Sequence, residues 1–396
     1  MPQIIRNNAP LLIALVLIGI GLLAAMNTQN NLLFWVIGLT VGALTVSTVY
    51  AFLSLRKIDV VRLDPKHGIA GEPLVMRYEL TSRHRFLPVF NIQIEEIESS
   101  RSDSNWHNFT APARAWVMHL GPGETLHGEA VMWPMRRGEM KLARLRISST
   151  FPFGLIRTTR RLDEATHTLI FPRLFSLRKR VLDAIVPAGP LGARLSSLAG
   201  MGDDYFGLRE YRLGDSRRQI AWKRSAASDT LITRERSKPS PPRLRVVLNL
   251  LQPTSALDAG RPADDRISGR DLEERAISLT ASFLESAALA GFEVGLTVLG
   301  CAAPVTPLRR SHWHIEKIMG SLASINLDAE RDAQTVRNMA DAERAGLVVI
   351  HAGQVDPSVV RGDAWHFTAM HMMQFVQPRA AVGTRVARAG ELEHAA

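Results

Sequence analysis

No Asp, Glu, Lys or Arg occurs between Arg6 and Arg56, and a charge-free stretch of that length restricts this chain more than any other feature. Two apolar runs fill it, Ala9 to Met26 and Leu32 to Leu55, with the polar turn Asn27-Thr28-Gln29-Asn30-Asn31 between them. At 1.5 Å per residue, each run as a helix is long enough for the hydrocarbon core of a bilayer. A helix satisfies its own backbone groups there, so residues 1–56 are expected to form a transmembrane helical hairpin, with Gly19, Gly21, Gly38 and Gly42 permitting close approach. A cleaved signal peptide is the competing reading of the first run, since Arg6 precedes it and Ala24 and Ala25 follow. For an intact hairpin, Arg6, Arg56, Lys57 and Arg62 flank an uncharged turn. The positive-inside rule then places both ends and the soluble portion in the cytoplasm.

The zero mean hydropathy of the 396 residues is therefore an average over an apolar anchor and a charged body. With 46% hydrophobic residues the chain is neither disordered nor collagen-like. Its one cysteine, Cys301, excludes a disulfide framework and any Cys-clustered metal site.

Residues 57–156 alternate as strands do, in Ile58–Leu63, Leu74–Leu80, Val89–Ile94 and Leu142–Ser148, separated by Gly and Pro turns, which predicts a small β-sandwich. Trp106, Trp116 and Trp133 are expected to pack in or rim its core. Residues 157–242 form a basic segment with few periodic elements. Positions 151–245 hold 19 Lys and Arg against 9 Asp and Glu, a surplus equal to the +10 of the whole chain. The Pro-rich stretch Ser237–Pro242 ends that segment. From 243 to 377 the pattern changes to buried strands (Leu244–Leu251, Phe292–Leu299, Leu347–Ile350) alternating with amphipathic helices (Asp271–Gly291, Trp313–Ile325), an open α/β arrangement. Residues 378–396 are expected to be a flexible tail. The fold class is thus a membrane-anchored α+β chain.

The most distinctive segment, Gly202 to Ala226, mixes Tyr205, Phe206, Tyr211 and Trp222, which have surface to bury, with closely spaced charges. Leu213-Gly214-Asp215 predicts a turn with a positive φ at glycine. In one reading Arg209, Arg212, Arg217 and Arg218 pair internally with Asp203, Asp204, Glu210 and Asp215. In the other, guanidinium groups stay free for an acidic partner or phosphate.

This segment resembles the signature of a bacterial family, domain of unknown function 58. The matching positions are Leu208, Arg209, Glu210 and Tyr211, then Gly214-Asp215, Arg218, Ile220, Trp222-Lys223 and Ser225-Ala226. Arg136-Arg137-Gly138, the later Phe151-Pro152-Phe153-Gly154-Leu155 and the N-terminal helix pair are similar too. The sequence departs from the family pattern at Ala221 and Ala227. The resemblance implies an α/β domain like the von Willebrand factor A module and residence in the bacterial inner membrane. It also implies gene neighbourhoods with MoxR-type AAA+ ATPases and transglutaminase-like membrane proteins, and it brings no enzymatic activity.

A metal-binding A module carries Asp-x-Ser-x-Ser after its first strand, hard oxygen ligands suited to Mg²⁺. Here those positions are Asn249, Leu251 and Pro253, with Thr254, Ser255 and Asp258 nearby. A degenerate site and no bound cofactor are expected. His312 and His314, two residues apart, do not share a helix face as a zinc-protease pair does, and they, like His366 and His371, are expected at the surface. Cys301 lacks an evident base. No Walker A motif or Gly-x-Gly-x-x-Gly occurs, and no catalytic constellation emerges.

The expected function is a membrane-anchored protein-interaction module working with a MoxR-type ATPase in assembly or maturation of a membrane or envelope complex. The partner-binding or structural positions are Arg209, Glu210, Tyr211, Arg212, Gly214, Asp215, Arg217, Arg218, Trp222 and Lys223. One alternative is a metal-dependent receptor or enzyme using the α/β crevice. Another is binding of anionic lipid or nucleic acid through the arginine-rich segment; the interleaved acids argue against nucleic acid.

Overall fold

The computed structural model describes residues 9–28, 30–63, 65–97, 104–178, 181, 199–237, 241–259, 267–332, 345–360 and 364–377. The chain divides into two compact units, Met1–Phe171 and Pro172–Ala396. The expected tail at 378–396 lies outside the described residues.

In the first unit, α1 (Ala9–Thr28) and α2 (Asn31–Ser54) are each long and apolar enough to cross a membrane. Their polar side chains are turned back on the backbone. Asn30 caps α2 by accepting from the Leu32 N–H at 2.9 Å. The hydroxyls of Thr40, Thr45 and Thr48 each donate to the carbonyl four residues earlier at 2.8 Å. Of the four glycines expected to let the helices approach, Gly21 sits at a contact, where an added Cβ would lie 3.4 Å from Ile37; Gly19, Gly38 and Gly42 face open space.

The end of α2 enters a β-sandwich, where Leu55 and Ile58 are buried in the core. One sheet runs β1 (Ile58–Leu63), β3 (Leu74–Ser82), β6 (Thr125–Met132); the other runs β2 (His67–Ile69), β8 (Thr158–Phe171), β7 (Gly138–Ser149), β4 (Val89–Ile97), β5 (Arg114–Leu120). All pairings are antiparallel except β2 with β8. The period-2 pattern puts Met76, Tyr78 and Leu80 from one sheet against Ile92, Ile94 and Leu142 from the other in one core. Trp106 joins that core and donates its indole N–H to the Ile97 carbonyl at 3.3 Å, whereas Trp116 and Trp133 are more than half exposed. Because β8 pairs with β7 along nearly its whole length, the sandwich extends to Phe171 and takes in the start of the segment read as irregular. The first half of β8 alternates only between half-buried and exposed positions, and its residues Thr158 to Arg161 are all polar, so it lacks the apolar–polar alternation by which strands are recognised.

The second unit is built on a four-stranded parallel sheet of order β13 (Glu293–Leu299), β12 (Arg243–Asn249), β14 (Gly346–His351), β15 (Trp365–Thr368). Helix α5 (Gly269–Leu289) packs on the sheet and begins with a capping box, Ser268 and Asp271 each satisfying the other's backbone N–H. Helix α6 (His312–Ala323) packs beside it. His314 is buried rather than at the surface, its Nε2 3.0 Å from the Val294 carbonyl, while His312 is exposed. A short antiparallel pair, β9 (Ser176–Leu177) with β16 (Val376–Gln377), ties the two ends of the unit together. The signature segment stands on a separate antiparallel ribbon, β10 (Ala199–Glu210) and β11 (Ile232–Ser237).

Candidate partner-binding site

The loop that joins β10 to β11 is fixed at its base and open at its tip. Arg209 anchors it with a bidentate pair to Asp215, both bonds 2.8 Å, and with Nε to Glu235 at 2.9 Å. Asp215 also accepts the Arg212 N–H at 3.0 Å, and the Asp215 N–H returns to the Arg212 carbonyl at 3.0 Å. The turn therefore closes through Gly214, whose φ of 107° suits a residue without Cβ. The Arg209 hydrogen bond, followed by that of the Arg212 N–H, holds the Asp215 carboxyl below its ordinary pKa. Further on, the Ala221 N–H donates to the Ile232 carbonyl at 2.8 Å. The Ile232 N–H in turn donates to Ser225 Oγ at 2.8 Å, which fastens the short helix α3 (Trp222–Ser225) to β11. Buried Ala221 opens that helix.

The tip carries the opposite character. Leu213 is 103% exposed and Trp222 63%, and Arg212, Arg217, Arg218, Lys223 and Arg224 are exposed around them. Arg217, Arg218, Lys223 and Arg224 form no ion pair among the described residues. Internal pairing is thus the reading that fits Arg209, and Trp222, which has surface to bury, lies with its indole outward. Tyr211 is half-buried, and its hydroxyl donates to the Asp215 carbonyl at 3.5 Å. Glu210 is exposed, its carbonyl accepting from Arg209 at 3.0 Å. The side chains of Asp203, Asp204, Tyr205 and Phe206 lie outside the described residues.

The carboxyl end of the parallel sheet, the usual ligand crevice of such folds, is occupied by the chain's own polar groups. Asn249 Oδ1 accepts the Leu251 N–H at 3.1 Å, and its Nδ2 lies 3.0 Å from His351 Nδ1. His351 Nε2 lies in turn 3.0 Å from Nδ1 of half-buried His366. Thr254, at the start of α4 (Thr254–Ala259), donates to Glu273 at 2.8 Å; buried Glu273 pairs with Arg331, which also donates to the Cys301 thiol. Asp258 Oδ1 accepts the Gly269 N–H at 2.5 Å. Asn249 has committed its oxygen, and Leu251 and Pro253 offer no side-chain donor, so these residues do not fit a divalent cation.

Burial, followed by the charge of His366, lowers the His351 pKa from 6.5 to about 4. A histidine held neutral in the fold adds stability above its unfolded pKa and loses it as the pH falls. The denaturation midpoint of the second unit is therefore expected to drop between about pH 6.5 and 4. His351→Leu should flatten the profile across that window when midpoints are compared by urea titration. An unchanged slope would assign the acid loss elsewhere.

Comparison with known proteins covers the segment that carries this loop. Residues 207–382, from the β10–β11 loop through the parallel sheet, match the family model described as Protein of unknown function DUF58. The chain is also 25% identical over 319 residues, 79% of its length and 72% of the relative's, to the Uncharacterized protein YeaD of Bacillus subtilis (strain 168). The chain is thus similar to the DUF58 family of proteins of unknown function over residues 207–382.

Proposed function

We propose that this chain is a membrane-anchored docking protein that offers the tip of the β10–β11 loop to an acidic surface on a partner protein. The observation that carries the reading is the contrast within one loop. The Arg209, Asp215 and Glu235 network sets one guanidinium between two carboxylates and holds the base, while Leu213 and Trp222 stand exposed among cations without ion pairs among the described residues. Tryptophan and arginine on a pre-ordered scaffold are the residue types that dominate protein interfaces, and a fixed base lowers the ordering cost of binding.

The resemblance to the DUF58 family supplies the partner class, a MoxR-type AAA+ ATPase, with a transglutaminase-like membrane protein as a further member of the assembly. In this reading α1 and α2 form a transmembrane hairpin in the bacterial inner membrane, and the soluble units face the cytoplasm. The second unit acts as a von Willebrand factor A-like platform with a degenerate metal site. Anchoring confines the partner near the bilayer and raises its effective concentration without new contacts. The work of the pair is assembly or maturation of a membrane or envelope complex.

Capture of the ATPase by the detergent-solubilised protein is the test. Wild type should retain it, and Arg217→Glu with Arg218→Glu should release it while leaving thermal unfolding unchanged. Equal capture by both proteins would remove the loop from the interface. The same exposed cations favour a second reading, anionic lipid or nucleic acid, which predicts binding that falls steeply with salt in the absence of any protein partner.

A further inference from the structure

The turn between β7 and β8, Phe151-Pro152-Phe153-Gly154-Leu155, has the wrong surface for a loop in water. Phe153 is 58% exposed at its tip. The Phe151 ring packs against Tyr50 of α2 at 5.0 Å and against Phe90 at 4.6 Å between centroids. The Tyr50 hydroxyl locks that contact, donating to the Pro88 carbonyl and accepting the Phe90 N–H, both at 3.1 Å. Leu155 reaches further. Together with Ile13, Leu17, Ile37 and Thr40 it lines a cavity of about 710 Å³ bounded by α1 and α2.

The α2 residues on that cavity end at Thr40, 14 residues before Ser54, or about 21 Å along the helix axis. A turn that leaves the sandwich and lines this cavity therefore runs back along α2, into the part of the helix that is apolar enough to span. Its backbone is partly self-satisfied, as hydrocarbon requires. The Gly154 N–H donates to the Thr150 carbonyl at 2.8 Å, and the Phe151 N–H to Ser149 Oγ at 3.3 Å. The cavity asks for no hydrogen bond either, since its one hydroxyl, on Thr40, already donates to the Val36 carbonyl. Arg56, just past the end of α2, lies 3.6 Å over the Phe52 ring, a cation set beside apolar surface.

We infer that the Phe151–Leu155 turn is inserted into the bilayer beside α2, and that acyl chains of the surrounding lipid fill the cavity that Leu155 lines. The inference rests on the membrane-anchor reading and adds a third inserted element to it, one that fixes the sandwich against the bilayer.

The full-length protein in vesicles of phosphatidylglycerol and phosphatidylethanolamine tests it, with a polarity-sensitive fluorophore on Phe153→Cys or, separately, Leu155→Cys. Cys301 is buried, and unmutated protein serves as the labelling blank. Leu39→Cys, on an exposed position of α2, and Val131→Cys, on the outer surface of the sandwich, are the references. Quenching by lipids with doxyl groups on their acyl chains should match that at position 39 for both turn labels. Quenching at 39 with none at 153 and 155, as at 131, would overturn the insertion while leaving the anchor intact. Absence of quenching at 39 as well would overturn the anchor and the insertion with it.

Discussion

Glu96→Ala is expected to destabilise the first unit by about 3–5 kcal/mol, since it leaves a buried guanidinium without its counter-charge. Arg62 and Glu96 have side chains that are 1% and 0% exposed, and they meet through two hydrogen bonds of 3.0 and 2.8 Å. The Tyr78 hydroxyl donates to the same carboxylate at 2.8 Å, and Arg62 donates further to the Glu164 carbonyl at 2.7 Å. The group thus bridges β1, β3, β4 and β8 inside the sandwich. Burial pushes the Glu96 carboxyl above its ordinary pKa although Arg62 and Tyr78 both favour its charge, which shows how strongly the site is desolvated. The double variant Arg62→Met with Glu96→Leu removes both charges together and should recover most of the loss, because replacing a buried pair by apolar groups is often neutral. Urea denaturation of the detergent-solubilised protein reads both effects. A single variant as stable as wild type would mean that water reaches the pair.

Gly300→Ala is expected to be comparably damaging to the second unit. Gly300 follows β13 with a φ of 87°, and a Cβ there would lie 2.3 Å from the Leu250 carbonyl oxygen and 2.8 Å from the Leu251 nitrogen. Both obstacles are backbone, so no rotamer change relieves them. The positive φ alone costs about 1–3 kcal/mol, and the forced separation of the β12 and β13 ends adds to it, for a total on the order of 3 kcal/mol or more. Gly214→Ala is the comparison: its φ of 107° brings the same backbone strain, but its added Cβ meets nothing within 4 Å. It should cost only the strain. Equal midpoint losses for the two variants would contradict the close approach at Gly300.

Much of this architecture is legible in the sequence because it depends on periodicity. The alternation of Leu74–Leu80 places a strand with one buried face, and the apolar run after Leu244 places a strand covered on both faces in a parallel sheet. Gly214 was readable as a left-handed turn from its neighbours Leu213 and Asp215. What escapes is whatever depends on partners distant in sequence. Arg62 and Glu96 look like ordinary outward-facing strand charges until β1 and β4 are brought together. Arg245 interrupts an apolar strand with a buried guanidinium that finds Thr297 at 3.0 Å and the Thr306 carbonyl at 3.3 Å. His351 gives no local signal, since its character comes from Asn249 and His366 on neighbouring strands. In the signature loop, spacing alone made pairing plausible for four arginines, and only the fold distinguishes Arg209, which faces Asp215 and Glu235, from Arg217 and Arg218, which face solvent.

The docking claim turns on whether the tip of that loop touches another protein in the membrane. A photo-crosslinking amino acid at fully exposed Leu213 tests this in intact cells, with the same group at exposed Trp313 of α6 as the reference. The account predicts a crosslink from position 213 to a MoxR-type ATPase subunit, lost when Arg217→Glu and Arg218→Glu are added, and no such product from position 313. A crosslink to that ATPase from 313 with none from 213 would contradict it.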